Sequence, residues 1–275
     1  MKCLICSTVF KNQGYLHKAF ENIKKIQELF TETKIIICYD NSGDNSLKEL
    51  CELKKDFQDM DIIMNNKERF DSPDGRAYNI AQARNQILEL IYTKYSDYDY
   101  FIMCDLDDVM CVDINLLTLQ RFIPSTYIND AIFLKNNPGW FGWEMNNWDA
   151  LSFYNEGYYD CWALSIDEYD ESCWHKDTDG MVEGKKMLKY LKNKLDNTDN
   201  SMIKVDSAFN GFAIHKLSKF KDIRYTPATI LNGKIIIDCE HRKFYKDANE
   251  KKLNIMMCKY PLFSSMKHIV PELYD

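Results

Sequence analysis

The chain is short of residues that interrupt a fold. Only 10 glycines and 6 prolines in 275 residues exclude collagen-like, linker-like and low-complexity chains. Long apolar runs are missing as well: no stretch approaches the roughly 18 uncharged residues of a membrane helix. The opening Met1-Lys2-Cys3-Leu4-Ile5-Cys6 lacks the length and cleavage site of a secretory signal, so a cytoplasmic or otherwise soluble intracellular protein is expected. Positive charge is the scarcer sign, with 35 Lys and Arg against 42 Asp and Glu and a net charge of −7. That balance is wrong for holding nucleic acid by phosphate neutralisation, and nucleic acid is set aside as a partner.

What is present is a globular mixture, 45% hydrophobic and 13% aromatic, with enough chain to bury a substantial core. Ten cysteines invite a disulfide reading, but Cys3, Cys6, Cys38 and Cys104 lie inside apolar runs of a chain too large to need staples. Reduced thiols are expected. Cys3-x-x-Cys6 is half of a zinc spacing, yet a strand's period of two sends the two side chains to opposite faces.

Apolar runs at 2–9, 34–39, 61–64 and 100–104 read as buried strands. Helical spacing falls between them at about 15–30, 46–57 and 76–94. Strands alternating with helices predict a parallel sheet with right-handed crossovers, a doubly wound α/β unit. After about Val112 the rhythm becomes irregular and rich in Trp and Tyr, with one clear helix at about 181–195 and strands near 202–205, 211–214 and 234–238. From Lys251 onward no pattern is readable. One domain over 1–275 is expected, its two halves of about 1–111 and 112–275 sharing a core.

Ligands of open α/β sheets collect outside the carboxyl ends of the strands. Two such ends are polar: Tyr39-Asp40-Asn41-Ser42-Gly43-Asp44-Asn45-Ser46, and Cys104-Asp105-Leu106-Asp107-Asp108. The first also reads as a turn with an N-cap. In the second, three carboxylates in four residues repel one another unless a cation relieves them, and Asp105 and Asp107 can converge on one hard divalent ion. Capping of a helix near Val112 by Asp107 or Asp108 is the plainer alternative. On the 76–94 helix Arg84 falls inside the apolar stripe, so it needs a structural carboxylate or a ligand phosphate. Arg76 and Asn79 sit near that helix's N-terminus, where an anion is favoured. Asp206, Asp238, Glu240 and His241 place polar groups beside later strands, and His241 is the histidine best placed to complete a metal site.

Together these pieces resemble a glycosyltransferase of the GT-A fold. The resemblance is carried by 39–46, by Ala83-Arg84-Asn85 and by Asp105-Leu106-Asp107. The wording of the second half, in Asp149-Ala150-Leu151-Ser152-Phe153, Tyr158-Tyr159-Asp160-x-Trp162-Ala163-Leu164, Ser207-Ala208-Phe209-Asn210-Gly211 and Cys239-Glu240-His241-x-x-Phe244, is most similar to the fungal capsule-associated mannosyltransferase group. The resemblance implies a GT-A-like α/β fold, a Rossmann-type nucleotide-binding half with a mixed central sheet, continuous with an aromatic-rich acceptor half. It implies transfer of a sugar from a UDP- or GDP-sugar to a hydroxyl of a glycan or glycoconjugate. Thr8, Asp40, Arg76, Asn79, Arg84 and Asp105 would meet the donor, with Asp40 at the base. Asp105, Asp107 and His241 would hold Mn²⁺ or Mg²⁺. Trp143, Trp148, Tyr159, Trp162 and Asn210 would line the acceptor site, although aromatic rings also simply fill cores. Asp160, Asp206 and Glu240 are the candidate bases.

Two other classes compete. Phe101–Val109 fits the hydrophobic-Asp-x-Asp-x-Val pattern of haloacid-dehalogenase-type phosphatases, in which Asp105 would be the nucleophile and Asp107 the general acid. That motif ends the first strand of its domain, whereas at least three strands are expected before it here. The other is a non-enzymatic module that binds a nucleotide sugar or a glycan.

Overall fold

The computed structural model describes residues 1–72, 75–123, 147–174, 179–231, 233–269 and 271–273. The order along the first half is β1 (Lys2–Val9), α1 (Leu16–Gln27), β2 (Glu32–Tyr39), α2 (Ser46–Leu53), β3 (Met60–Met64), α3 (Gly75–Lys94), β4 (Tyr100–Cys104) and a short α4 (Leu116–Gln120). The second half adds β5 (Ala150–Phe153), α5 (Gly180–Asp196), β6 (Met202–Lys204), β7 (Phe212–Lys216), β8 (Ala228–Leu231), β9 (Lys234–Ile237), α6 (Glu240–Glu250) and β10 (Ile255–Cys258). No helix among the described residues is long and apolar enough to cross a membrane.

Eight strands form one mixed sheet in the order β3-β2-β1-β4-β7-β5-β10-β6, with β8 and β9 as a separate hairpin. The first four are parallel, β1 pairing with β2 and β4, and β2 with β3. In the other half β7 runs antiparallel between β4 and β5, and β10 lies parallel to β5. Because β4 pairs on the opposite side of β1 from β2, the winding reverses between β1 and β4. A crevice therefore opens at their carboxyl ends.

Strand alternation sorts the core onto two faces. Ile35, Ile37, Ile102 and Ile5 join α1 and α2 through Phe20, Ile23 and Leu50, while Leu4, Ile36, Phe101 and Met103 join α3, α5 and α6 through Ile87, Leu191 and Phe244. Each fully buried aliphatic side chain contributes about 1.5–3 kcal/mol, and both faces are lined with them. Cys3 belongs to one face and Cys6 to the other, as a period of two requires. All ten cysteines are free.

β5, β8, β10 and α6 escape the sequence pattern. The three strands are only four residues each. α6 reads Glu-His-Arg-Lys-Phe-Tyr-Lys-Asp-Ala-Asn-Glu, and its buried face holds Glu240, His241 and Arg242 beside Phe244, Tyr245 and Ala248. Charged groups on the inward face hide the period. At 108–111 the chain makes a 3₁₀ turn rather than the start of a helix near Val112, and the Asp107 carboxylate caps it by accepting from the Val109 N–H at 3.1 Å.

Candidate active site

A cavity of about 640 Å³ occupies the crevice at the switch point, lined by Thr8 and Val9 from the end of β1, Asp40 after β2, and Asp105 and Asp107 after β4. α3 contributes Arg76, Asn79, Ala83 and Arg84 to the same wall, and its alanines let the helix lie close on the sheet. Across from them stand Tyr159, Asp160 and Trp162, Trp174, Met181 from α5, and Glu240 and His241 from the start of α6. Strand ends thus supply Asp40, Asp105 and Asp107, one helix supplies Arg76 and Arg84, and the second half supplies aromatic rings with Asp160 and Glu240.

At one end Asp40 is ion-paired with Arg69, whose guanidinium carbon lies 3.6 Å from the centre of the Phe10 ring. Asn12 ties this corner to the strand end opposite, its amide donating to the Leu106 carbonyl at 2.9 Å. The rest of the 41–46 turn serves itself: Asp44 accepts from the Ser42 and Ser46 hydroxyls, and only Asp40 of that acidic run reaches the cavity. Arg69 is a site residue that sequence reasoning missed, because it lies in an irregular stretch with no motif to mark it.

The two α3 arginines differ. Arg76 is exposed to the cavity and has no ion-pair partner among the described residues. Arg84 is buried, donating through Nη2 to Asp105 Oδ1 at 3.0 Å and through Nη1 to Glu240 Oε1 and His241 Nε2. Its carbon also lies 4.9 Å from the Phe209 ring centre. Burial works against its charge, but Glu240 and Asp105 outweigh burial and hold its pKa above the usual value. Of the two partners its place in the stripe allows, a structural carboxylate or a ligand phosphate, Arg84 meets carboxylates, Glu240 and Asp105.

Asp105 and Asp107 form a strained acidic pair. Burial raises Asp105 despite the compensating Arg84 and Arg76, and burial followed by repulsion from Asp105 and Asp108 pushes Asp107 up to about 7. Each carboxylate spends one oxygen, on Arg84 or on Val109, and keeps a second with no hydrogen-bond partner among the described residues. Two hard oxygens with unrelieved repulsion fit a divalent cation whose remaining positions go to phosphate oxygens or water. His241 does not fit as a third ligand. Its Nε2 lone pair faces the Arg84 guanidinium, its ring stacks on Phe209 at 3.8 Å, and burial with Arg84 beside it keeps the imidazole neutral. Among the described residues no three His, Cys, Asp or Glu side chains converge as a metal cage.

The candidate bases separate. Asp160 lines the cavity, accepts from the Ala163 N–H at 3.2 Å, and is pushed up to about 7 by burial and then by Asp105. Glu240 reaches the cavity edge but is engaged by Arg84. Asp206 is exposed on a separate groove beside Asp167 and Lys194 and is not brought to the site. Of the acceptor aromatics, Tyr159 and Trp162 line the cavity. Trp148 does not: it is fully buried against Tyr100 at the opposite end of β4, where it fills core. Trp143 lies outside the described residues. Asn210 is buried behind the wall, accepting from the Tyr159 N–H, and Asn79 spends its amide on the Phe70 backbone in both directions. Trp174 and Met181 complete the aromatic side, and no spacing in the sequence marked them.

No family model and no curated protein sequence matches the chain. Among solved structures it is similar to S. aureus TarS 1-349 in complex with UDP-GlcNAc, at 14% identity and a TM-score of 0.48, over 96% of this chain and 57% of that one. It is also similar to the mannosyltransferase PcManGT from Pyrobaculum calidifontis in complex with GDP-Man and Mn²⁺, at 9% identity and a TM-score of 0.49, over 94% and 54%. A third likeness is to glucosyl-3-phosphoglycerate synthase from Mycobacterium tuberculosis in complex with UDP, at 9% identity and a TM-score of 0.48, over 99% and 74%. The chain spans 57–63% of the TarS 1-349 structures. At such identities what the cavity does follows from its own side chains.

Proposed function

We propose that the chain is a metal-dependent glycosyltransferase that moves a sugar from a nucleoside-diphosphate sugar to a hydroxyl of a glycan or glycoconjugate. The observation that carries this is the set of groups that line one cavity: the Asp40–Arg69 pair, Arg76 with no ion-pair partner among the described residues, the Asp105–Asp107 pair, Asp160, and the rings of Tyr159, Trp162 and Trp174. A side-by-side acceptor and donor at Asp40 and Arg69 suit a base edge that offers an N–H next to an acceptor, as uracil and guanine do with N–H beside a carbonyl. Arg76 is the cation available to the diphosphate, while Arg84 orients Asp105. Asp105 and Asp107 would hold Mn²⁺ or Mg²⁺, which when bound supplies charge neutralisation on the departing diphosphate.

The acceptor hydroxyl oxygen attacks the anomeric carbon as the bond from that carbon to the diphosphate oxygen breaks. The proton passes to Asp160 and the nucleoside diphosphate leaves with the electron pair. Asp160 as base favours inversion. Every cation lining the described cavity, Arg69, Arg76 and Arg84, stands on the donor side, so the aromatic wall suits a neutral sugar ring better than a phosphorylated acceptor. The wording at 149–153, 158–164, 207–211 and 239–244 supports the narrower likeness to the capsule-associated mannosyltransferases and a hexose donor. No lysine lines the cavity among the described residues and β4 is the fourth strand, which disfavours the phosphatase reading.

The test is a thermal-shift panel of UDP, GDP, CDP and their sugar conjugates with and without Mn²⁺, followed by product analysis. A ligand at about 100 times its dissociation constant adds roughly 2.7 kcal/mol. Stabilisation by one uracil or guanine nucleotide only with metal is expected. No shift with any nucleotide, with metal-dependent hydrolysis of small phosphate esters, would overturn the proposal in favour of a phosphatase.

A further inference from the structure

The segment leading into β7, Ser207-Ala208-Phe209-Asn210-Gly211, touches both walls of the cavity. Ser207 donates its hydroxyl to the Ala163 carbonyl at 2.6 Å, and its backbone bridges Ser165. Phe209 stacks on His241 beneath Arg84. Asn210 accepts the Tyr159 N–H on Oδ1 at 3.1 Å and donates through Nδ2 to the Phe153 carbonyl at 3.4 Å. The Gly211 carbonyl accepts the Asp105 N–H at 2.9 Å.

Asn210 and Gly211 are both left-handed, at φ 54° and 77°. Asn tolerates that region better than most residues and Gly occupies it freely. A Cβ on Gly211 would stand 2.6 Å from Val109 Cγ1 and 2.8 Å from the Tyr159 hydroxyl. Val109 is the residue whose N–H binds Asp107. Two consecutive residues thus bear on the Asp105–Asp107 wall and on the wall that carries Tyr159 and Asp160. Neither residue lines the cavity.

We propose that the Asn210–Gly211 turn is a positioning element that sets the spacing between the Asp105–Asp107 pair and Asp160, governing turnover without holding either substrate. The proposal rests on the transferase reading. A displacement near 1 Å between a base and the reacting centre costs on the order of 100-fold in rate. The contacts of the nucleotide with Asp40, Arg69 and Arg76 do not pass through the turn, whereas the metal that Asp105 and Asp107 would hold does, through Gly211 and Val109.

The experiment compares wild type with Asn210→Gly, which keeps the left-handed backbone and deletes the bracket to Tyr159, and with Gly211→Ala, which forces Val109 or Tyr159 to shift. Melting curves, nucleoside-diphosphate affinity with Mn²⁺, kcat and both KM values are measured, with kcat referred to the nucleotide-binding fraction. Asn210→Gly is expected to keep nucleotide affinity within about threefold while kcat falls on the order of 10–100-fold, and Gly211→Ala, which presses on the residue that holds Asp107, is expected to lower both. If Gly211→Ala fails to fold, Asn210→Gly decides alone. Unchanged kcat in the folded Asn210→Gly variant, beside an active wild type, overturns the positioning role and leaves the transferase reading intact. A wild type that neither binds a nucleoside diphosphate nor transfers a sugar overturns both.

Discussion

The wall built from β1, β2, β4 and α3 and the wall built from 158–174 and α6 are made in different ways. The first hangs mostly on regular elements, its acids set by strand ends and two of its cations, Arg76 and Arg84, by one helix face, with Arg69 alone coming from irregular chain. The second hangs on irregular chain, fixed by side chain to backbone bonds such as Arg242 to the Leu164 and Asp170 carbonyls and Asn210 to Tyr159. Regular elements position groups cheaply. Irregular chain needs a buried polar fastener for each group it presents, and each fastener is a separate point of failure.

The strongest test of that contrast is the pair of α3 arginines. Arg84→Ala should leave Glu240 buried without its cation and destabilise the protein by about 3–5 kcal/mol, read from denaturant unfolding. Arg76→Ala should stay within about 0.5 kcal/mol of wild-type stability. It should nevertheless weaken nucleoside-diphosphate binding by about 10–100-fold, the value of a charge-assisted hydrogen bond of roughly 1.5–3 kcal/mol. Equal effects of the two substitutions on binding would erase the distinction.

Asp107→Asn should come next in size. It removes charge from the acidic pair while conserving shape, so kcat with Mn²⁺ should fall on the order of 100-fold or more while the metal-free protein melts no lower than wild type at pH 7. Full Mn²⁺-dependent turnover in this variant would remove Asp107 from the metal.

A smaller effect is expected with pH. Asp107 and Asp160 both lie near 7 in the folded protein, above the ordinary carboxylate range. Their folded pKa values are raised, so the stability they contribute is complete below the unfolded pKa near 4 and is lost as pH rises from about 4 to about 7. Metal-free protein should therefore melt lower at pH 7 than at pH 5, and Mn²⁺ should reverse the loss. Turnover runs the other way, rising up to about tenfold per pH unit below 7 and levelling above it. A flat rate profile between pH 5.5 and 7.5 would deny Asp160 the proton. Smallest of all, Trp162→Ala should raise the acceptor KM several-fold, about 1 kcal/mol for a lost ring face, with nucleotide affinity unmoved.

The same contrast governs how much was legible from residues alone. β4 runs over Tyr100–Cys104 as its apolar run predicts, and the acids after β2 and β4 enter the cavity because a parallel sheet leaves its carboxyl ends open. Arg84 is buried because its helical spacing says so. α6 was illegible because its inward face is occupied by Glu240, His241 and Arg242, groups whose burial depends on partners more than 70 residues away. Trp148 and Trp162 cannot be told apart by type: one fills core and the other faces the cavity. The residue type of His241 suits a metal ligand, but its Nε2 lone pair is taken by Arg84, a partner 157 residues away in the chain.

The strand order also bears on how the chain reaches this state. β4 ends at Cys104, but the strand that covers its outer edge, β7, begins at Phe212. During synthesis the four parallel strands can pair while that edge stays bare for about a hundred further residues, at roughly 5–20 residues per second. An apolar strand with an open edge is a template for intermolecular pairing. Non-local pairing of this kind is intrinsically slow, and it leaves exposed, in a half-made molecule, an edge of β4 that the finished sheet covers.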